Sequence, residues 1–375
     1  MIDSEIELNK VIVVPLISKD SLDINDAKNY YGTELHPNQP IPTIVSTQSE
    51  VNSLVNQKSG NNQQLANEER LVILLKQQEV EKDKTFDTNK YFNELSTDLF
   101  GKNLIHTEVI SSTQDIMLKY LTYTRQGLVM IADQQTDGRG RDGNKFLSPL
   151  GCLLMSFKCK QTDCNKLPFL QYLTGMAMVE AIHSFPIASD LNLSLKWPNE
   201  IFTKEAGIKL GGVLCEPKYL NNEFDVVIGV GVYLSNSNNP STTVNQLIHQ
   251  KQQHGSSLSS TTTSTDIPIY INREELVSKF FNKFEPMFME FTRDGFNADL
   301  ENRYTDLWMH TNQIVKVKER DYHHVKIIGI SDRGFLKVIE CDAGGNSSPN
   351  SQIVELNPES TSFDIQNLIL MQKSQ

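Results

Sequence analysis

A chain of 375 residues exceeds what one compact core usually organises, so two or three folded units, or one large domain with appendages, are expected. The formal charge of −11, with 46 acids against 35 lysines and arginines and no basic block, argues against a dedicated nucleic-acid or anionic-membrane surface. Five cysteines, an odd number without C-x-x-C spacing or a matching histidine pattern, indicate neither a disulfide framework nor a zinc site, and read as reduced thiols.

In chain order, Met1 is followed by acids where a targeting peptide needs bases, and the apolar run Val11 to Ile17 is short and broken by Pro15. Cytosol is the expectation, with a mitochondrial pool left open. Residues 1–85 offer little core, and Gln39 to Asn67 is rich in Asn, Gln, Ser and Pro, so a long, largely disordered tether is expected there. Leu71 to Leu75, flanked by charges, suggests one or two amphipathic helical turns.

From Phe86 to residue 296 short apolar runs alternate with helical patterns, as in one main domain. Gly127 to Asp133, Leu153 to Lys158 and Phe224 to Val232 read as strands. Leu170, Leu173, Ala177, Ala181 and Phe185 form one helical stripe, and Leu276, Phe280, Phe284, Met287 and Phe291 a second, bent at Pro286. Both stripes face a core. Residues 238–266, with a Ser/Thr run, read as a low-complexity loop in which His249 and His254 are solvated rather than metal ligands. Residues 297–375 carry close-set short strands, Gln313 to Val317, Val325 to Ile330, Gly334 to Ile339 and Ile353 to Leu356, which suggest a separate small β-barrel.

Four segments carry chemistry. The first, Asp133-Gln-Gln-Thr-Asp-Gly-Arg-Gly-Arg-Asp-Gly, offers Gly138, Gly140 and Gly143 for close backbone approach and Arg139 and Arg141 as planar cations for carboxylate or phosphate. It matches neither a Walker loop nor a dinucleotide fingerprint, and such a turn in isolation is more often an exposed loop. The second, Lys196-Trp-Pro-Asn-Glu, precedes Lys209-Leu-Gly-Gly-Val-Leu, where a hairpin with solvated lysines is the plain alternative. The third, Gly229 and Gly231 within a buried strand, suggests a binding floor. The fourth, Ser111-Ser-Thr-Gln-Asp, is fully accounted for as a helix N-cap.

Together, in this order, the segments resemble the catalytic domain of biotin protein ligases of the eukaryotic holocarboxylase synthetase type. The likeness runs from about Phe86 to the C-terminus, including Arg303-Tyr-Thr-Asp-Leu-Trp-Met-His. It implies an α+β fold: a mixed sheet with flanking helices, related to class II aminoacyl-tRNA synthetases and lipoate ligases, then an SH3-like barrel. It implies ATP and Mg²⁺ with biotin as substrate, biotinyl-5′-AMP as intermediate, and biotin carboxyl carrier domains of carboxylases (acetyl-CoA, propionyl-CoA, pyruvate, methylcrotonyl-CoA type) as acceptors. A monomer or weak homodimer without nucleic-acid or membrane partners is expected.

Carried over by motif, Ser112, Thr113, Gln135, Gly138, Arg139, Gly140, Arg141, Lys209 and Gly212 would bind biotin. Arg139, Arg141, Gly143, Phe146, Lys196, Trp197, Asn199 and Lys209 would bind ATP or the adenylate, with Lys209, Arg141 and Lys196 catalytic and no metal ligands named. Gln114 departs from the family's usual Asn, Phe146 from a Trp, Tyr233 from an Asn and Glu200 from an Asp, the resemblance implying that Glu200, one carbon longer, would still orient Lys209 or the incoming amine. A lipoate or octanoyl ligase is the rival within the superfamily, though it lacks the Gly-Arg-Gly-Arg and Lys-Trp-Pro-Asn signatures. An inactive binding protein is the rival outside it, and would be expected to lose Arg141 or Lys209.

Overall fold

The computed structural model describes residues 11–18, 43–45, 70–75, 86–120, 124–236, 242–255, 270–318 and 323–373. They fall into two compact units, one of residues 1–160, 225–240 and 271–282, the other of 161–224, 241–270 and 283–375. This division cuts across the stretch that the sequence reads as one main domain.

The first unit holds a seven-stranded mixed sheet. Its strands are β1 (Val11–Ser18), β2 (Thr43–Val45), β3 (Arg70–Leu75), β4 (Asn103–Ile110), β5 (Val129–Gln135), β6 (Cys152–Gln161) and β10 (Glu223–Tyr233), in the order β2-β3-β1-β4-β5-β6-β10. β4 and β5 run parallel, whereas β1 and β6 lie antiparallel to their neighbours β4 and β5. Val129 to Ala132 and Cys152 to Met155 are buried without a break, as expected of strands covered on both faces. Helices α1 (Thr88–Glu94) and α2 (Thr113–Lys119) belong to this unit. Phe157 meets Phe100 and Phe281 edge to face at 5.9 and 5.3 Å, the geometry that ring quadrupoles favour.

Two expectations for the N-terminal stretch change. Leu71 to Leu75 lies in a strand, not a helical turn, its residues pairing one for one in parallel with β1 from Val11↔Arg70 to Leu16↔Leu75. The short run Val11 to Ile17 is likewise a strand, joined to β4 through Leu16↔Ile105. Of the polar tract Gln39 to Asn67 only Thr43–Val45 lies among the described residues.

In the second unit, β7 (Leu193–Lys196), β8 (Glu200–Thr203) and β9 (Lys209–Leu220) form an antiparallel run beside α3 (Leu167–His183). The predicted stripe on α3 is buried, but so is almost every other residue from Phe169 to Ile182, so this helix is apolar on all sides. α4 (Val244–Gly255) replaces the first part of the expected loop, with Val244 and Ile248 buried. Within it His249 meets Gln253 at 2.8 Å. The Ser/Thr run that follows lies outside the described residues.

α5 (Arg273–Asp294) carries the second predicted stripe, all of it buried, and α6 (Ala298–Leu307) follows. Beyond lie β11 (Ile314–Val317), β12 (His323–Ile330), β13 (Leu336–Glu340), β14 (Ile353–Leu356), β15 (Thr361–Asp364) and β16 (Ile369–Gln372), ordered β14-β13-β12-β11-β16-β15. Among the described residues these pairings form an open six-stranded sheet rather than the closed barrel expected, since β14 and β15 are its two ends. The α+β class with a mixed sheet stands.

Candidate active site

In the first unit β5 delivers Gln135, and Ser112 caps α2 by accepting from Asp115 N at 3.3 Å, an interaction worth about 1 kcal/mol. Capping uses a lone pair of Ser112 and leaves its hydroxyl proton for another acceptor. Gln135 Oε1 accepts from Thr113 N at 2.7 Å and lies 3.0 Å from Thr113 Oγ1, while Gln135 Nε2 donates to Ser148 Oγ at 3.1 Å. Ser148 Oγ in turn donates to the Phe146 carbonyl at 3.0 Å. Thr113 Oγ1 is also 2.8 Å from Ser156 Oγ, which donates to Gln114 Oε1 at 3.2 Å. The N-cap account of this segment is therefore correct and incomplete.

The glycine and arginine loop folds back on itself. Phe146 N donates to Gly138 O at 2.8 Å and Gly140 N to Asn144 O at 2.7 Å, and Arg139 pairs with Lys145 across the loop. A Cβ on Gly138 would stand 2.5 Å from the Phe146 carbonyl oxygen and 2.4 Å from Ser148 Oγ, which is why glycine is required there. Arg141 to Gly143 make one 3-10 turn, with Asp142 and Gly143 at φ of 59° and 74°. Arg139 Nε reaches Asp115 at 2.7 Å, a half-exposed pair worth no more than about 1 kcal/mol and readily exchanged for a ligand. Asp133, at the head of the segment, is held in the interior by His106 at 3.0 Å and Arg273 at 2.6 Å.

The two glycines of β10 answer to side chains. A Cβ on Gly229 would lie 2.6 Å from Gln114 Oε1, and one on Gly231 would lie 2.5 Å from the ring of Phe146. That ring stacks on Tyr233 at 5.1 Å, and burial, with Cys152 adding to it, pushes the Tyr233 hydroxyl up to about 12.

In the second unit Glu200 gathers two motifs. Its Oε2 accepts from Lys196 Nζ at 2.6 Å and its Oε1 from Lys209 Nζ at 2.5 Å. Burial of Glu200 opposes its charge, but the two lysines outweigh this and hold its carboxyl below the usual range. The trio carries a net positive charge, with Lys209 the more exposed of the two cations. Gly212 places its Cα hydrogens beside Lys209, since a Cβ there would lie 3.9 Å from Nζ. Asn199 Nδ2 donates to the Val213 carbonyl at 2.5 Å, so its side chain closes the turn onto β9.

Trp197, named among the adenylate-binding residues, is completely buried. Its Nε1 donates to Tyr172 Oη at 2.8 Å and its backbone N–H to His310 Nε2 at 2.9 Å, so its indole is a structural anchor rather than a ligand face. Tyr172 itself donates to Gly334 O at 2.6 Å, in the turn that leads into β13. His310 Nδ1 faces Gln313 Oε1 at 2.8 Å, which leaves Nε2 as an acceptor and the ring neutral. Burial lowers its pKa to about 4. Sequence reasoning passed over Ser148 and Ser156, for which no local pattern exists, and quoted His310 only as the end of the run from Arg303, without a role. It noted Gln114 only as a departure, whereas Glu200 was also expected to orient Lys209 or the incoming amine, and its carboxylate meets Lys209 here. Among the described residues no group of three or more His, Cys, Asp or Glu side chains comes together to hold a metal, and no helix is long and apolar enough to cross a membrane.

Residues 106–232 match the model of the biotin/lipoate A/B protein ligase family. Biotin–protein ligase 1 of Arabidopsis thaliana, a chloroplastic protein, is 31% identical over 290 residues, covering 75% of this chain and 72% of that one. The human biotin–protein ligase is 33% identical over 293 residues, which are 76% of this chain but 38% of the human protein. The chain belongs to the biotin–protein ligases. A solved biotin protein ligase from Aquifex aeolicus in complex with biotin and ATP aligns with 67% of this chain and 98% of its own, with a TM-score of 0.48 and 22% identity.

Proposed function

We propose that this chain activates biotin with Mg-ATP and transfers the biotinyl group to one lysine of a biotin carboxyl carrier domain. In the first step a carboxylate oxygen of biotin attacks the α-phosphorus, the bond to the β-phosphate oxygen breaks, and biotinyl-5′-AMP and pyrophosphate form. In the second, the acceptor amine attacks the acyl carbon, AMP departs and the amine loses a proton. Acceptors of the acetyl-CoA, propionyl-CoA, pyruvate and methylcrotonyl-CoA carboxylase type are part of this reading. So are a cytosolic location and a monomeric or weakly dimeric state.

The observation that carries the proposal is Glu200 holding Lys196 and Lys209 as one cluster, because bringing a carboxylate to a polyphosphate requires fixed positive charge where negative charge accumulates. In it Lys209 serves the carboxyl and then the acyl phosphate, Lys196 faces the phosphates, and Gly212 leaves room beside Lys209. Asn199 is assigned to the adenine, with its amide now also committed to Val213. In the first unit the hydroxyl and amide groups of Ser112, Thr113 and Gln135, with the Gly138 and Arg139 backbone, suit a cyclic urea. Gly140 and Gly143 give the loop its turn, Arg141 supplies charge to the carboxyl, and Phe146 caps the ligand. Magnesium belongs to this reading as the ion carried by ATP, with no protein ligand assigned to it.

The test is incubation of the purified chain with biotin, Mg-ATP and a carrier domain, scoring biotin on the acceptor lysine. Transfer that Arg141→Ala abolishes is the expected result. Pyrophosphate release with lipoate or an octanoyl acid but not biotin would move the chain to a sister ligase, and silence with every acid would favour a binding protein without activity.

A further inference from the structure

Thr113 has one hydroxyl proton and two acceptors within reach, Gln135 Oε1 at 3.0 Å and Ser156 Oγ at 2.8 Å. Their neighbours decide which acceptor wins. Gln114 stands 3.2 Å from the carbonyl of Val227, a group that only accepts, so the amide nitrogen must face it and Oε1 must face Ser156. Ser156 then spends its own proton on Gln114 Oε1 at 3.2 Å, and towards Thr113 it is left with lone pairs alone. The Thr113 proton therefore belongs to Ser156. On the other side, the backbone N–H of Thr113 fixes Gln135 with its carbonyl oxygen towards Thr113 and its nitrogen towards Ser148.

We propose that Gln114 and Ser156 are positioning residues that draw the Thr113 proton away from Gln135 and keep the second lone pair of the Gln135 carbonyl open for an N–H donor on the substrate. This rests on the reading of Thr113 and Gln135 as the place of the biotin ureido ring. A cyclic urea brings such a donor. Thr113, Gln114 and Ser156 are at most 4% exposed, so water does not compete for these protons, and the direction of each bond is transmitted along the row. Gly229 is part of the device, because a Cβ there would lie 2.6 Å from Gln114 Oε1.

The device is tested by biotin-dependent pyrophosphate release in two backgrounds. Gln114→Met frees Ser156 to donate to Thr113, which turns the Thr113 proton onto Gln135. The KM for biotin should rise about tenfold, the size of one lost hydrogen bond, with kcat and the KM for ATP changed by less than about twofold. In a Thr113→Val background no hydroxyl remains to turn, and the same replacement should shift the KM for biotin by less than about twofold. Ser156→Ala, which introduces no bulk, should show the same dependence on Thr113, and it decides the matter if thermal unfolding shows Gln114→Met to be misfolded. Equal factors in both backgrounds would overturn the proposal, leaving Gln114 and Ser156 as packing. A wild-type chain that releases no pyrophosphate with biotin would instead overturn the functional reading on which it rests.

Discussion

Glu200, partly buried, and His310, fully buried, are titratable groups whose pKa values are lowered, yet lowering has opposite meanings for an acid and a base. At Glu200 burial resists ionisation and the paired lysines prevail, so the charged form is the one the fold favours. The stability it contributes is fully present above the unfolded carboxyl pKa of about 4.3 and is lost as pH falls through the lower folded value. Glu200→Gln should therefore cost about 1–2 kcal/mol near neutral pH, towards the low end because Lys209 is partly screened by solvent, and progressively less as acid carries the folded carboxyl through its lowered value. Denaturant unfolding at several pH values checks this, and a loss independent of pH would mean that shape rather than charge is missing. At His310 burial favours the neutral ring, which can then accept from Trp197. Its stabilisation is complete above the unfolded value of 6.5 and drains away as pH falls towards about 4. Glutamine can accept the same bond without titrating, so His310→Gln should flatten the pH dependence in that window by up to about 1.4 kcal/mol per pH unit. Unchanged steepness would show that His310 does not govern it.

Among the elements, the glycine and arginine loop shows what a sequence tells and what it withholds. Gly138→Ala must displace the Phe146 carbonyl and with it the pairing of Arg139 with Lys145, so a KM for biotin raised at least about tenfold is expected with little change in melting temperature. Gly143→Ala meets no atom within 4 Å and carries only the strain of its positive φ, about 1 kcal/mol, so its effect should be smaller. Kinetics of the two variants side by side would refute this if Gly143→Ala were the more damaging. Taken singly, the loop and the lysines Lys196 and Lys209 had plainer readings as an exposed loop and a solvated hairpin, and what singled them out was their occurrence together in the order that resembles the family. Ser148 and Ser156 were not legible, since a serine's role depends on which strand lies opposite. The anchoring of Trp197 was not legible for the same reason, its partners Tyr172 and His310 lying 25 and 113 residues away. The short strands β15 and β16 and the helix α4 were missed, being four residues long or dominated by Asn, Gln and His, compositions without a distinct period.

At the scale of the molecule, the N-terminal stretch has a role that composition concealed. Few of its residues are apolar enough to build a core, and on that ground residues 86 onward should be sufficient for biotinyl-AMP synthesis. Yet Leu16 to Ser18 pair with Ile105 to Asn103, covering part of the edge that β4 would otherwise show to solvent. An uncovered strand edge is a template for pairing with another chain. Deleting residues 1–85 should therefore spare biotin-dependent pyrophosphate release while making the protein self-associate as its concentration rises, a change that size-exclusion chromatography with light scattering would detect. Loss of adenylate formation in a monomeric truncated chain would refute the boundary at Phe86. Full activity without any gain in self-association would keep the boundary and show that β1 does not guard the edge, leaving transfer to the carrier domain as the step in which to look for a contribution of the first 85 residues.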